Sequence, residues 1–161
     1  AGEKLRAAFP SLEVQRRAEA VDAKNAQALF RAHDVVIDAT DDASTKFLLS
    51  DAALSSGVPL IYGGVLRLTG QVMRVNPTGP CLRCLFEGPP APGTTPTCAQ
   101  AGVLGSLVGL VGALQALLAF SAGSLPGGAT TPLYVVELLG ATVRQRTMTV
   151  HKDSRCVACT Q

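Results

Sequence analysis

Four of the five cysteines in this sequence fall into two Cys-x-x-Cys pairs, Cys81-Leu82-Arg83-Cys84 and Cys156-Val157-Ala158-Cys159. Two residues between the sulfurs let both thiolates of a tight turn reach one tetrahedral ion at about 2.3 Å. Two such knuckles complete the four ligands of a closed, structural zinc site, so the fold has to bring a mid-chain loop against the C-terminus. A redox dithiol is one rival reading, but neither pair is expected to open a helix directly after a strand, where such a motif belongs. Disulfides are the other, and they suit secreted chains. The opening stretch, residues 1–14, lacks the apolar core of a secretory signal, which makes a cytoplasmic chain the expectation. His151, shortly before Cys156, is expected to be a solvated histidine at a strand end rather than a substitute ligand.

Composition narrows the class further. The 161 residues are 47% apolar and only 16% charged, as suits one compact globular domain. A net charge of +2 without basic clustering argues against nucleic acid and a zinc-ribbon binder of it. The run from Val103 to Phe120 carries no charge and approaches the ~20 residues of a bilayer span. Gln115 and Ser106 interrupt it, and it lacks basic or aromatic flanks. The expectation is a buried helix of a soluble domain, apolar all round, with a membrane span as the alternative. Gly105, Gly109, Gly112 and Ala113 sit near helical spacing and would let another element approach closely.

Periodicity places the elements. Leu12–Ala18 reads as a short strand, and Asp22 as the N-cap of a helix over Ala23–Ala32. Val35–Ile37 is a continuous apolar run, the pattern of a strand buried on both faces. A second helix is expected through Thr45–Ser55, stopped by Gly57 with Pro59 beyond. Pro59–Tyr62 is the next buried strand. From Gly70 the pattern changes: Gly70–Asn76, Leu133–Leu138 and Ala141–Val150 alternate polar and apolar residues, as half-exposed antiparallel strands do. Gly140 marks a hairpin turn. The fold class is therefore α/β, an open mixed sheet with parallel early strands and antiparallel late ones.

The strings DVVIDATDD (Asp34–Asp42), PLIYGGVLRLTGQV (Pro59–Val72), GPCLRC (Gly79–Cys84), TCAQAGVLGSLVGLVGALQAL (Thr97–Leu117) and the terminal CVAC, in that order, resemble the MoeB/ThiF/HesA family. These are bacterial relatives of ubiquitin-activating enzymes, and the resemblance runs from about Leu5 to Gln161. It implies a Rossmann-like fold, homodimers, and a reaction with ATP and Mg²⁺ that adenylates the C-terminal glycine of a ubiquitin-like sulfur carrier. Family members begin with a strand and a glycine-rich turn of G-x-G-G-x-G type, then an acidic residue, an arginine and a lysine for the nucleotide. None of these is present, and Lys4 does not match the phosphate lysine. The expectation is one incomplete domain over residues 1–161, resembling the C-terminal two-thirds of such an enzyme. A non-catalytic, zinc-stabilised module that docks a carrier or a second copy is the alternative.

Matching the family's T-D-N string makes Asp41 the carboxylate beside the ATP phosphates and Mg²⁺. Asp42 stands where the family has asparagine. Its two readings, nucleotide contact and helix cap, both stand. Asp38, on the same strand end, is expected to be structural. Arg67 is read as a solvated arginine, and Glu87–Pro96 as a mobile proline- and glycine-rich loop. Cys98 is the cysteine left over after zinc, beside the helix that begins near Val103. In ThiF-like members a cysteine at the matching place bonds covalently to the carrier or its sulfur, so Cys98 is a candidate reactive thiol, with a buried, inert cysteine as the rival.

Overall fold

The structure is a computed structural model and describes residues 2–91, 93–94, 96, 98–122 and 127–160. Five strands form one sheet in chain order: β1 (Val36–Ile37), β2 (Leu60–Leu66), β3 (Thr69–Val75), β4 (Thr130–Leu139) and β5 (Thr142–His151). β1 pairs with β2 in parallel, and every later pairing is antiparallel. The mixed sheet expected from the sequence is therefore present. Gly140, at a φ of 61°, turns the β4–β5 hairpin, a backbone region that glycine enters without steric cost.

Helices pack on both faces of the sheet around β2, while β5 is exposed at every position but Val150. On one side lie α2 (Ala26–Arg31), α3 (Ala43–Ser56) and the short α4 (Leu82–Phe86). Their core joins Phe30, Phe47, Leu60, Tyr62, Met73, Leu133 and Val135 to Cys81, Cys156 and Cys159. On the other side α6 (Gly105–Ser121) packs Val111 against Ile61 and Val72. Helix α1 (Gly2–Ala8) and the four-residue α5 (Cys98–Ala101) complete the described elements. Helix α3 follows the expected rules, with Asp42 as N-cap and Gly57 in the left-handed C-cap conformation.

Four expectations are corrected. Leu12–Ala18 is irregular chain: no strand of the sheet pairs with it, and Leu12 is left half exposed. The parallel unit is consequently β1–α3–β2. Helix α2 starts only at Ala26, and Asp22 instead closes the preceding turn by accepting from the amides of Lys24 and Asn25. β1 is not buried on both faces: it is an edge strand among the described residues, and Ile37 is 46% exposed.

The fourth correction concerns α6. Only Leu107, Val111 and Gln115 are buried, while Val108, Leu110, Leu117 and Phe120 are exposed. The close approach is made possible by glycines of the sheet rather than of the helix. A Cβ on Gly70 would stand 2.6 Å from Val111, and one on Gly63 would collide with the Gln115 amide. Gly105, Gly109 and Gly112 meet nothing. Among the described residues no helix is long and apolar enough to cross a membrane.

Candidate functional site

The four knuckle sulfurs converge. Cys81 lies at the N-terminal end of α4, Cys84 within it, and Cys156 and Cys159 in the turns after β5. Their sulfurs all lie within 4.8 Å of one another, with Cys81–Cys84 at 3.9 Å, Cys81–Cys156 at 3.6 Å and Cys84–Cys159 at 3.4 Å. Tetrahedral Zn–S bonds of about 2.3 Å would set sulfurs about 3.8 Å apart, so the donor set fits that ion. The Asp153 amide also points at the Cys84 sulfur, at 3.5 Å, the kind of outer hydrogen bond that steadies a ligand. Cys81 does begin a helix, contrary to expectation, but the loop Asn76–Pro80 separates it from β3. His151 is exposed at the end of β5, as expected.

Without an ion the cluster shares protons unevenly. Burial pushes the Cys81 thiol up to about 12. Cys159 is also raised, by burial first and then by the thiols of Cys84 and Cys156. Burial acts the same way on Cys156, but the amides of Ala158 and Cys159 and the neighbouring thiols outweigh it and carry it down to about 7. Four thiolates cannot coexist here without a cation to hold them. The site is anchored to α3: the Leu82 amide donates to the Ser50 hydroxyl at 3.1 Å, and Arg83 pairs with Asp51.

The acidic cluster lies at the carboxyl end of β1, the edge where open α/β sheets take ligands. Its three aspartates have different environments. Asp38 is 1% exposed; its Oδ1 accepts from the amide and hydroxyl of Thr40, and its Oδ2 from Lys46 Nζ at 2.9 Å. Asp42 Oδ2 accepts from the Thr45 amide at 2.7 Å and the Thr45 hydroxyl at 2.8 Å, so it caps α3. Those Thr45 bonds hold its carboxyl below the usual carboxylate value. Asp41 between them is exposed, and its carboxylate has no hydrogen-bond partner among the described residues.

Two participants escaped the sequence reading. Lys46 reaches back from the first turn of α3 to Asp38 and to the Gly63 carbonyl at 2.5 Å, over the Tyr62 ring at 5.4 Å. A lysine in the first turn opposes the helix dipole, and that was the available signal. Gln115 is buried and donates to the carbonyls of Asp38 at 2.7 Å and Ile61 at 3.0 Å. Tyr62 is pushed up to about 12 by its burial, then by the charge of Asp38.

The remaining candidates lie apart from the cysteine cluster. Cys98 opens α5, is partly buried, and points its sulfur at the Val65 carbonyl, 3.5 Å away. The Arg67 side chain is exposed, as expected, but its backbone sits at a φ of 53° in the β2–β3 hairpin and bonds to Gly102 and Leu104. Part of the Glu87–Pro96 loop, Pro92 and Thr95, lies outside the described residues, as does Thr97 beside Cys98.

The family model described as the ThiF family matches residues 1–159. The sulfur carrier protein adenylyltransferase of Thermus thermophilus is 37% identical over 99% of this chain and 60% of its own length. The SAMP-activating enzyme E1 of Haloferax volcanii is 42% identical over 70% of this chain and 42% of its own. In fold, the chain is similar to E. coli MccB solved with MccA-N7isoASN, with a TM-score of 0.71 at 11% identity. That likeness covers 99% of this chain and 50% of the MccB chain. The chain thus spans between two-fifths and three-fifths of the length of the curated relatives it matches.

Proposed function

This chain belongs to the ThiF family, and we propose that it forms the metal-bearing, carboxylate-presenting part of an enzyme that adenylates the C-terminal glycine of a ubiquitin-like sulfur carrier. One observation carries the reading: Asp41 stands exposed at the carboxyl end of β1 with no hydrogen-bond partner among the described residues, while Asp38 and Asp42 are committed to local structure. A free carboxylate at that edge suits Mg²⁺, which binds through one or two carboxylates together with substrate phosphates. The names of the curated relatives support the same class of reaction and of partner.

Within this reading each residue has a role. Mg²⁺, when bound, neutralises phosphate charge as the carrier's terminal carboxylate attacks the α-phosphorus and pyrophosphate leaves. Asp41 holds that ion in place. Asp42 caps α3, and a nucleotide contact from it would have to use Oδ1. Cys81, Cys84, Cys156 and Cys159 hold a structural Zn²⁺ that fastens the end of the chain beneath α3. Cys98 is the candidate thiol for a later covalent step with the carrier, next to the β2–β3 hairpin. The 161 residues contain no glycine-rich turn of the family type to cradle phosphates, so the activity belongs to a complete enzyme that supplies one.

Carrier-dependent ATP–pyrophosphate exchange tests the proposal. The complete enzyme should exchange, Asp41→Ala should depress exchange by orders of magnitude, and the 161-residue chain alone should give none. Robust exchange by the chain alone, or by Asp41→Ala in the complete enzyme, overturns it. Cys98 is tested separately by mild alkylation of the zinc-loaded protein, which should label Cys98 and spare the other four. Labelling of Cys98 only after unfolding removes it from the mechanism.

A further inference from the structure

We infer that Lys46 is a positioning residue for the Asp41 carboxylate, acting through a buried network that grips the turn after β1 from both faces of the sheet. The inference rests on the reading of Asp41 as the metal-holding group. Asp41 makes no side-chain hydrogen bond of its own among the described residues, so its direction is set by the turn from Asp38 to Asp42.

Its geometry is set from beneath. From α3, Lys46 Nζ holds Asp38 Oδ2 and the Gly63 carbonyl together, joining β1, β2 and α3 at one nitrogen. Asp38 Oδ1 then accepts both the amide and the hydroxyl of Thr40, the residue before Asp41, which sets the direction of the chain there. From the opposite face, Gln115 of α6 donates to the carbonyls of Asp38 and Ile61. It has room only because position 63 is glycine.

Burial makes the lysine hard to replace. The Asp38 side chain is 0% exposed and that of Lys46 14%, so losing the cation leaves a buried carboxylate without a partner. A pair kept only for stability could be replaced by two neutral groups at little loss. Lys46 has a further bond, to Gly63, which a neutral replacement of the pair does not restore. It thus holds α3, whose N-terminus is Asp42, at a fixed offset from β2.

The experiment uses the complete enzyme and follows the Mg²⁺ dependence of carrier-dependent pyrophosphate exchange. Lys46→Met should raise the KM for Mg²⁺ by about 10- to 100-fold, the usual range for removing a partner that orients a metal ligand. The KM for the carrier should stay unchanged, and Lys46→Arg should recover most of the Mg²⁺ affinity. Asp38→Asn combined with Lys46→Met removes both charges, keeps an acceptor for Thr40, and serves if Lys46→Met alone fails to fold. This double variant should fold and still show the Mg²⁺ defect. A normal Mg²⁺ KM in the folded double variant overturns the inference, because Lys46 would then only neutralise Asp38. If Asp41→Ala itself leaves the Mg²⁺ dependence unchanged, the underlying reading of Asp41 fails, and the inference fails with it.

Discussion

The guanidinium of Arg83 forks onto the carboxylate of Asp51, Nε to Oδ1 at 3.1 Å and Nη2 to Oδ2 at 2.8 Å. The contact ties the interior of the first Cys-x-x-Cys pair to the middle of α3, and the guanidinium also lies 5.4 Å from the centre of the Phe47 ring. Both side chains keep some exposure, 23% and 37%, so solvent screens much of their attraction. The planar, two-point geometry still places this pair near the top of the surface range, at about 1 kcal/mol. Arg83→Ala should lower the urea midpoint of the zinc-loaded protein accordingly. Arg83→Lys should recover less than half, since an ammonium cannot fork. A midpoint unchanged by Arg83→Ala would show that the fork adds nothing to the hold that the core and Ser50 have on the knuckle.

Zinc removal should have a larger effect. Four thiolates on one ion contribute on the order of 10 kcal/mol or more of apparent binding free energy at neutral pH. Protein purified without added zinc should carry about one equivalent per chain, as a closed four-ligand site requires. Chelation should free the segment after β5 and end cooperative unfolding. Cys81, pushed up to about 12, and Cys159, also raised, keep their protons at neutral pH when no ion is bound. Metal uptake must displace those protons, so reloading in weak buffer should acidify the solution and should weaken as pH falls. Two disulfides and no metal in a fresh preparation would defeat the assignment.

The Asp42 cap has its own pH signature. Its folded-state pKa lies below the ordinary 3.8, chiefly through the Thr45 amide and hydroxyl bonds. Its contribution is therefore complete above pH 3.8 and disappears as pH falls through the lowered folded value. At neutral pH Asp42→Ala should cost about 1 kcal/mol, and Asp42→Asn much less, because asparagine also caps. Denaturant titration of the zinc-loaded protein at pH 7 should show the loss for Asp42→Ala and near-wild-type stability for Asp42→Asn. Equal losses for the two variants would mean that the Thr45 bonds do not form in solution.

Local rules found those parts of the fold whose cause is local. Gly57 and Gly140 stop an element wherever they occur, and alternation from Gly70 onward marks strands whatever they pair with, but not their burial, since β5 is exposed at every position but Val150. The knuckles were legible because spacing alone encodes a tetrahedral donor set. Leu12–Ala18 alternates like a strand, yet a strand needs a neighbour, and alternation says nothing about one. Burial of α6 was misjudged because hydropathy reports what a face prefers, not what the chain supplies to cover it. Lys46 was missed for a related reason: its partners Asp38 and Gly63 are brought to it only by the β1–α3–β2 crossover. The division of labour among Asp38, Asp41 and Asp42 likewise depends on which of them the turn leaves free.

The uncovered face of α6 makes the last prediction. Leu117 is 67% and Phe120 91% exposed, with Val108 and Leu110 above 40%, on a helix with no charged residue. Contiguous apolar surface of this kind marks an interaction site. Gly105, Gly109 and Gly112 have nothing within reach, so a second helix could approach closely. We propose that a second copy covers this face, in a two-fold arrangement where each contact occurs twice. Light scattering of the complete enzyme should give a dimer. Leu117→Glu and Phe120→Glu should each shift it to monomer while zinc content and unfolding midpoint stay near those of wild type, because neither side chain is built into the core. A strict monomer at high concentration, or a dimer indifferent to both substitutions, would place the interface elsewhere and leave the apolar face to another partner.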